Sequence, residues 1–233
     1  MAKKNEQGVV DTNEVVNASE AFFQKYGKAT VIALVALVVI IVGIYAYQNY
    51  VAGPRVDKAS TELGVGQELF GAGQYAVALN GDSATYAGFL KIASDYSNTQ
   101  AGNLANLYAG LCYANLDQWQ EAVTYLDKFD TTDDQLVSPS AVAALGNAYA
   151  HIEQFDKAVS NLKKAAKMAD KQAANGVNNS ISANFLMQAA RILEGQGNKT
   201  EALKIYQEVK GKYLNSSTVQ SGEVDKYIER ASR

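Results

Sequence analysis

Proline is nearly absent from this 233-residue chain, which holds only Pro54 and Pro139. With few ring-locked residues to interrupt hydrogen-bonded turns and alanine abundant, an almost wholly α-helical protein is expected. A single cysteine, Cys112, excludes an internal disulfide and leaves the redox compartment open. A single histidine, His151, leaves metal clusters and Ser-His-Asp or Cys-His arrangements without their parts. The glycines are scattered, so no phosphate-cradling loop is formed. Charge of one sign is also lacking. The formal net charge is -3, and residues 1–28 are balanced, with Lys3, Lys4, Lys25 and Lys28 against Glu6, Asp11, Glu14 and Glu20. Such mild acidity carries no electrostatic footprint for nucleic acid. The Asp133-Asp134 pair reads as solvation and capping in a polar loop. These absences predict a protein that is not an enzyme, with no cofactor, no metal, no nucleic-acid partner and no small-molecule substrate.

What is present begins with one long apolar run. Residues 29–47, ATVIALVALVVIIVGIYAY, carry no charged side chain. As a helix they span roughly 28 Å at about 1.5 Å per residue, close to the roughly 30 Å of bilayer hydrocarbon. Phe22, Phe23 and Tyr26 precede the run and Tyr45, Tyr47 and Tyr50 close it, as interface aromatics do. The leader is too long and too charge-balanced for a signal peptide, and no A-x-A follows. A retained transmembrane anchor over residues 21–52 is expected, with a polar leader over 1–20 and Gly53-Pro54 ending the helix. Lys25 and Lys28 are matched by Arg55 and Lys58 across the span, while Lys3 and Lys4 tip the count towards a cytoplasmic N-terminus. In a bacterium that means the inner membrane, with the C-terminal domain in the periplasm. Gly43, Ala36 and Ala33 offer a small-residue stripe for docking another helix.

The remainder repeats itself. Residues 103–129 place Gly110, Tyr113, Ala122 and Leu126 in an order that recurs thirty-six residues later. There, residues 139–165 offer Leu145, Gly146, Tyr149, Ala158 and Leu162, and residues 183–209 offer Ala190, Leu193, Ala202, Tyr206 and Val209. A degenerate first copy shows its second helix over 85–99, with Thr85, Phe89 and Tyr96 in register and an insertion around 71–82. A small residue in each first helix (Gly110, Gly146, Ala190) is expected to meet a small residue in the second (Ala122, Ala158, Ala202), so that the backbones approach. Large residues then fill the space between pairs. Ser138-Pro139 reads as an N-cap followed by proline at the first helical position, and Asn198 with Glu201 as a capping box.

These copies resemble tetratricopeptide repeats over about residues 57–216. The signature tryptophan is replaced by Asn106, Val142 and Leu186, and its terminal proline by Asp134, Asp170 and Leu214. The fold class expected is all-α: a single N-terminal transmembrane helix, then a tetratricopeptide α-solenoid of about four helix pairs over 53–216, and a capping helix over 217–233. The resemblance implies a partner groove on the first helices of the pairs, at Leu104, Leu107 and Leu111, then Ala143, Asn147 and His151, then Asn184, Met187 and Arg191. That groove would be apolar at one end and polar at the other, suited to an extended segment or a helix. For His151 both groove contact and a partly buried helix end stay open. Cys112 reads as a small buried hydrophobe.

Leader, anchor and repeats together resemble the ancillary subunit of the bacterial Sec translocon (YfgM-like), most closely over 88–113. That resemblance implies docking beside the translocation channel and pairing with a membrane-anchored periplasmic chaperone. The alternative is a scaffold for another envelope complex, in cell-wall synthesis, outer-membrane assembly or a secretion apparatus. Asp82-Ser83-Ala84 and Asp130-Thr131-Thr132 also match a loose O-glycosylation pattern.

Overall fold

The computed structural model describes residues 12–82 and 84–233, with side chains from Lys25 onward. The residues of the leader before Thr12, the side chains of Phe22 and Phe23, and Ser83 of the first glycosylation pattern lie outside the described residues. Among the described residues every element is helical, and the chain divides into two units, up to Arg55 and from Val56 to Arg233.

The first unit is dominated by α1 (Thr12–Tyr47). Over residues 29–47 its apolar side chains are exposed all around, Val31 and Ile40 both at 60%. Two polar side chains in and just after the apolar run turn back on the backbone: Thr30 Oγ1 donates to the Tyr26 carbonyl at 3.0 Å and Asn49 Nδ2 to the Tyr45 carbonyl at 2.9 Å. Among the described residues this is the one helix long and apolar enough to cross a membrane. Gly53-Pro54 does not end the helical path. A π-helical turn, Gln48–Ala52, intervenes, and the Gly53 N–H donates to the Gln48 carbonyl five residues back. The proline then falls in the first turn of α2 (Gly53–Gly71), where its missing N–H costs nothing.

The second unit stacks helix pairs. Here α5 (Gln100–Asn115) pairs with α6 (Trp119–Leu126), α7 (Val137–His151) with α8 (Phe155–Gln172), and α9 (Ser182–Gly195) with α10 (Lys199–Lys212). In the first copy the second helix is broken into α3 (Tyr75–Asn80) and α4 (Phe89–Asp95). The part expected over 85–99 is α4, which starts only at Phe89. Gly88, at φ 89°, is extended in a way that stops a helix, and the Asp82 carboxylate collects the N–H groups of Ala84, Thr85 and Tyr86 into a turn. Those bonds hold the Asp82 carboxyl well below its ordinary range, with the Thr85 hydroxyl the largest contributor.

The glycines of the first helices sit where close approach requires them. A Cβ at Gly110 would lie 2.6 Å from Leu126 Cγ and 2.9 Å from the Leu126 nitrogen; at Gly146 it would lie 3.0 Å from Leu162 Cγ and 3.1 Å from the Ala158 oxygen. The facing alanines Ala122, Ala158 and Ala202 are fully buried. The three turns within pairs are also alike. Asp117 (φ 58°), Glu153 (φ 59°) and Gly197 (φ 79°) each take the left-handed conformation. The next residue's N–H then returns to the carbonyl of Tyr113, Tyr149 or Leu193 at 2.9 Å. This closes each first helix by a shared device.

Two capping expectations change. Ser138 and Pro139 lie inside the first turn of α7, because the cap is Asp134: its carboxylate accepts from Leu136, Val137 and Ser138 at 2.6–3.1 Å. Ser138 is instead buried, its Oγ accepting the Thr132 N–H at 2.8 Å. Asn198 caps α10 by accepting the Glu201 N–H at 3.3 Å, but the Glu201 carboxylate pairs with Lys163 rather than closing a box. The stack ends in α11 (Ser217–Gln220) and α12 (Glu223–Ala231), which buries Val224 and clamps Arg230 on Glu194 through two bonds of 2.6 and 2.7 Å.

Candidate functional site

First helices of successive pairs lie side by side, so positions a turn apart on α5, α7 and α9 form one surface. Two depressions open on it and share Ala144. The smaller, about 240 Å³, is apolar, walled by Leu107, Leu111, Leu136 and Val137. The larger, about 540 Å³, is walled by Trp119, Asn147, His151, Gln188, Arg191 and Ile192 among others. The imidazole of His151 stacks flat on the Trp119 indole, with ring centres 3.5 Å apart and planes 3° apart. This contact fixes the end of α7 against the start of α6.

Electrostatically the larger depression is unfinished. The Gln188 Oε1 is shielded from solvent and has no hydrogen-bond partner. Arg191 is exposed and carries no ion pair among the described residues. A shielded carbonyl oxygen without a donor costs free energy until something supplies one.

Of the expected groove residues, Leu107 and Leu111 line the small depression, and Asn147, His151 and Arg191 line the large one. His151 is exposed, not a buried helix end. Leu104 packs between the first two cores, and Asn184 is exposed beyond both depressions, its Oδ1 within 3.4 Å of the Thr218 hydroxyl. Ala143 and Met187 do not face the groove: they are 3% and 4% exposed, within the core formed by α7 to α10. The correction is one residue of register. On a helix one step turns a side chain by about 100°, so Ala144 and Gln188 take the surface positions. Sequence reasoning also missed Trp119, Leu136 and Val137. The signals were there: Trp119 is the only tryptophan, and Leu136 and Val137 are apolar yet follow four polar loop residues.

Among the described residues no group of three or more His, Cys, Asp or Glu could hold a metal ion. Cys112 is fully buried, and burial pushes its thiol up to about 12, far from the reactive thiolate. The arrangement presents surfaces for contact.

Comparisons agree with this geometry. Two structures of a kinesin light chain with nearly identical tetratricopeptide-like repeats from Podosopora anserina, one of them a point variant, superpose with a TM-score of 0.54. They share 14% sequence identity with this chain, covering 75% of it and 90% or 93% of themselves. That likeness shows the fold, a tetratricopeptide-like solenoid. No curated protein matches the chain. The family described as "T7SS, ESX-1 secretion system protein EccA1, N-terminal domain" matches residues 70–222. With that match spanning most of its length and a repeat solenoid over the same residues, the chain belongs to the family of the EccA1 N-terminal domain.

Proposed function

We propose that this protein is a membrane-tethered scaffold of a protein-export assembly, which binds one segment of a partner protein in the groove of its solenoid and catalyses nothing. The observation that carries the reading is the pair of depressions joined at Ala144, one apolar and one holding an unsatisfied Gln188 oxygen and an Arg191 with no ion pair among the described residues. An extended segment would place an apolar side chain among Leu107, Leu111 and Leu136. A turn of the Gln188 side chain would bring its shielded oxygen to a backbone N–H of the segment, and Arg191 would meet a carboxylate or carbonyl. The exposed apolar helix α1 would hold the solenoid at the bacterial inner membrane, with its N-terminus cytoplasmic and the repeats in the periplasm.

Two assemblies fit. An accessory subunit of the Sec channel, recruiting a periplasmic chaperone, is supported by the resemblance of the whole plan and of residues 88–113. A component of a dedicated secretion apparatus is supported by membership of a family named for a secretion-system protein. The test is purification of the intact protein from native membranes in mild detergent, with mass spectrometry of what stays bound. Parallel samples carry Ala144→Arg in the groove or a foreign helix in place of residues 29–47. Channel subunits lost on helix exchange, with a chaperone lost on Ala144→Arg, would support the Sec reading. Secretion components lost on Ala144→Arg alone would support the second. Partners unaffected by Ala144→Arg would remove the groove from the mechanism.

A further inference from the structure

The solenoid's charge is strongly polarised along the chain. Residues 56–156 hold thirteen carboxylates against three lysines (Lys58, Lys91 and Lys128), whereas residues 157–233 hold thirteen basic side chains against seven carboxylates. The small net charge of the whole protein conceals this opposition.

Each end concentrates its charge in a defined place. At the basic end, α8 and α10 flank a cleft of about 530 Å³. Lys163, Lys167, Lys171, Lys204 and Lys212 line it, against Asp170, Glu201 and Glu208. Lys163 and Lys204 share Glu201, Lys212 pairs with Asp170 and Lys171 with Asp133, so the five lysines still outnumber the four carboxylates around them by one, and Lys167 carries no ion pair among the described residues. At the acidic end, Asp117 lies on the α5–α6 turn with Glu121 in the first turn of α6, and Glu153 on the α7–α8 turn with Asp156 in the first turn of α8. All four are exposed, and none carries an ion pair among the described residues.

We propose that the basic cleft binds the acidic turns of a second copy of this chain, so that the protein associates head to tail. Spacing favours the match. Lys163, Lys167 and Lys171 recur every fourth residue, a stripe of about 12 Å along α8. The two acidic turns belong to neighbouring helix pairs, whose axes stand about 10 Å apart. Turns that project from the solenoid edge can enter a cleft that a flat face could not. Because the two surfaces are different, the contact is heterologous and does not close on itself as a two-fold dimer would. Its attraction is between separated, solvated charges, so it weakens steeply with salt.

The test uses the full chain in nonionic detergent, followed by sedimentation velocity over a range of protein concentrations. Salt is raised from roughly 0.01 M to roughly 1 M, which shortens the screening length from about 30 Å to about 3 Å. The wild type is expected to self-associate at low salt and to dissociate at high salt. Two neutralised variants, Lys167→Gln with Lys204→Gln and Glu121→Gln with Asp156→Asn, are each expected to weaken association by about tenfold or more. Mixed one to one, they should form a heterodimer and nothing longer, because each retains the surface the other lacks. Unchanged helical circular dichroism in both variants excludes misfolding as the cause. A wild type that is monomeric at low salt would overturn the proposal, as would variants that associate like the wild type or a mixture that stays monomeric. Binding of polyglutamate to the monomeric wild type, lost in the lysine variant, would assign the cleft to a different acidic protein and equally overturn it.

Discussion

Removing the carboxylate of Asp170 should destabilise the C-terminal pairs by about 3 kcal/mol, because three donors lose a shared acceptor. Asp170 is 6% exposed near the end of α8. Its Oδ2 accepts from Lys212 Nζ at 2.5 Å and from the Tyr213 hydroxyl at 2.7 Å, and its Oδ1 from the Asn178 N–H at 2.9 Å. One side chain therefore ties α8, the loop after it and the end of α10. In Asp170→Ala the Tyr213 hydroxyl, in a residue 1% exposed, and the partly buried Asn178 N–H both lose their acceptor, at about 1–3 kcal/mol for each buried group. Lys212 keeps much of its water, being 39% exposed, so its lost pairing adds about 1 kcal/mol or less. Burial raises the Asp170 carboxyl, but the bonds from Lys212, Asn178, Tyr213 and Ser182 outweigh it and leave it below its ordinary 3.8. A depressed folded value means stability that is present above 3.8 and lost as the pH falls through the folded value. Urea unfolding followed by circular dichroism should thus show a full deficit for Asp170→Asn near neutrality, narrowing as the pH drops below about 4. A deficit below about 1 kcal/mol for Asp170→Ala, or a gap for Asp170→Asn that ignores pH, would refute this account.

Other expectations are shorter. Gly110→Ala should cost more than Gly146→Ala, within the about 1–3 kcal/mol typical of overpacking. Its Cβ would meet the Leu126 side chain at 2.6 Å and backbone at 2.9 Å, whereas the Gly146 contacts begin at 3.0 Å; thermal melts of the pair check the order. Glu153→Gly should stabilise by up to about 1 kcal/mol, because the left-handed conformation at φ 59° penalises a Cβ; a lowered melting temperature would count against the shared turn device. Asp134→Ala should cost about 1 kcal/mol as a lost helix cap. Partial burial raises its carboxyl and bonds from Ser138, Leu136 and Thr132 more than offset this, bringing it to about 2. That benefit should therefore be full above the ordinary value of 3.8, decline below it and be gone once the pH has fallen through about 2. Fluorescence of Trp119, the sole tryptophan, should change when a partner fills the groove, and His151→Ala should brighten the unbound emission by removing the stacked ring.

The sequence made the buried positions of the repeat legible because close packing admits so few residue types there. Gly110 and Gly146 are small since Leu126 and Leu162 lie within about van der Waals contact of where a Cβ would sit, and that constraint recurs with the repeat. The apolar helix was legible for a similar reason: a bilayer accepts no charge along its span. The groove register was harder. Ala143 and Ala144, like Met187 and Gln188, are neighbours of similar size, and only the tilt of α7 and α9 against their partners decides which of each pair faces out. The caps misled because Asp134 acts from three residues ahead of α7, leaving Ser138 to be buried.

The departures from the repeat signature carry more information than the matches. Asp134 and Asp170 stand where the signature has proline. A proline there would close a copy without side-chain bonds; a carboxylate instead collects three or more donors and organises the loop that follows. Longer loops between copies require such a hub, since unpaired backbone groups near a core are costly. The same division extends to the surfaces that meet other molecules. Solvent imposes no residue type on the groove or on the charged ends, so those positions do not repeat: α5 offers leucines, α7 a histidine and an asparagine, α9 a glutamine and an arginine. A repeat match therefore reports the positions that build the solenoid, while specificity resides in the positions where the copies differ. That is why a fold shared at 14% identity with a kinesin light chain coexists with a charge polarity that no repeat signature encodes.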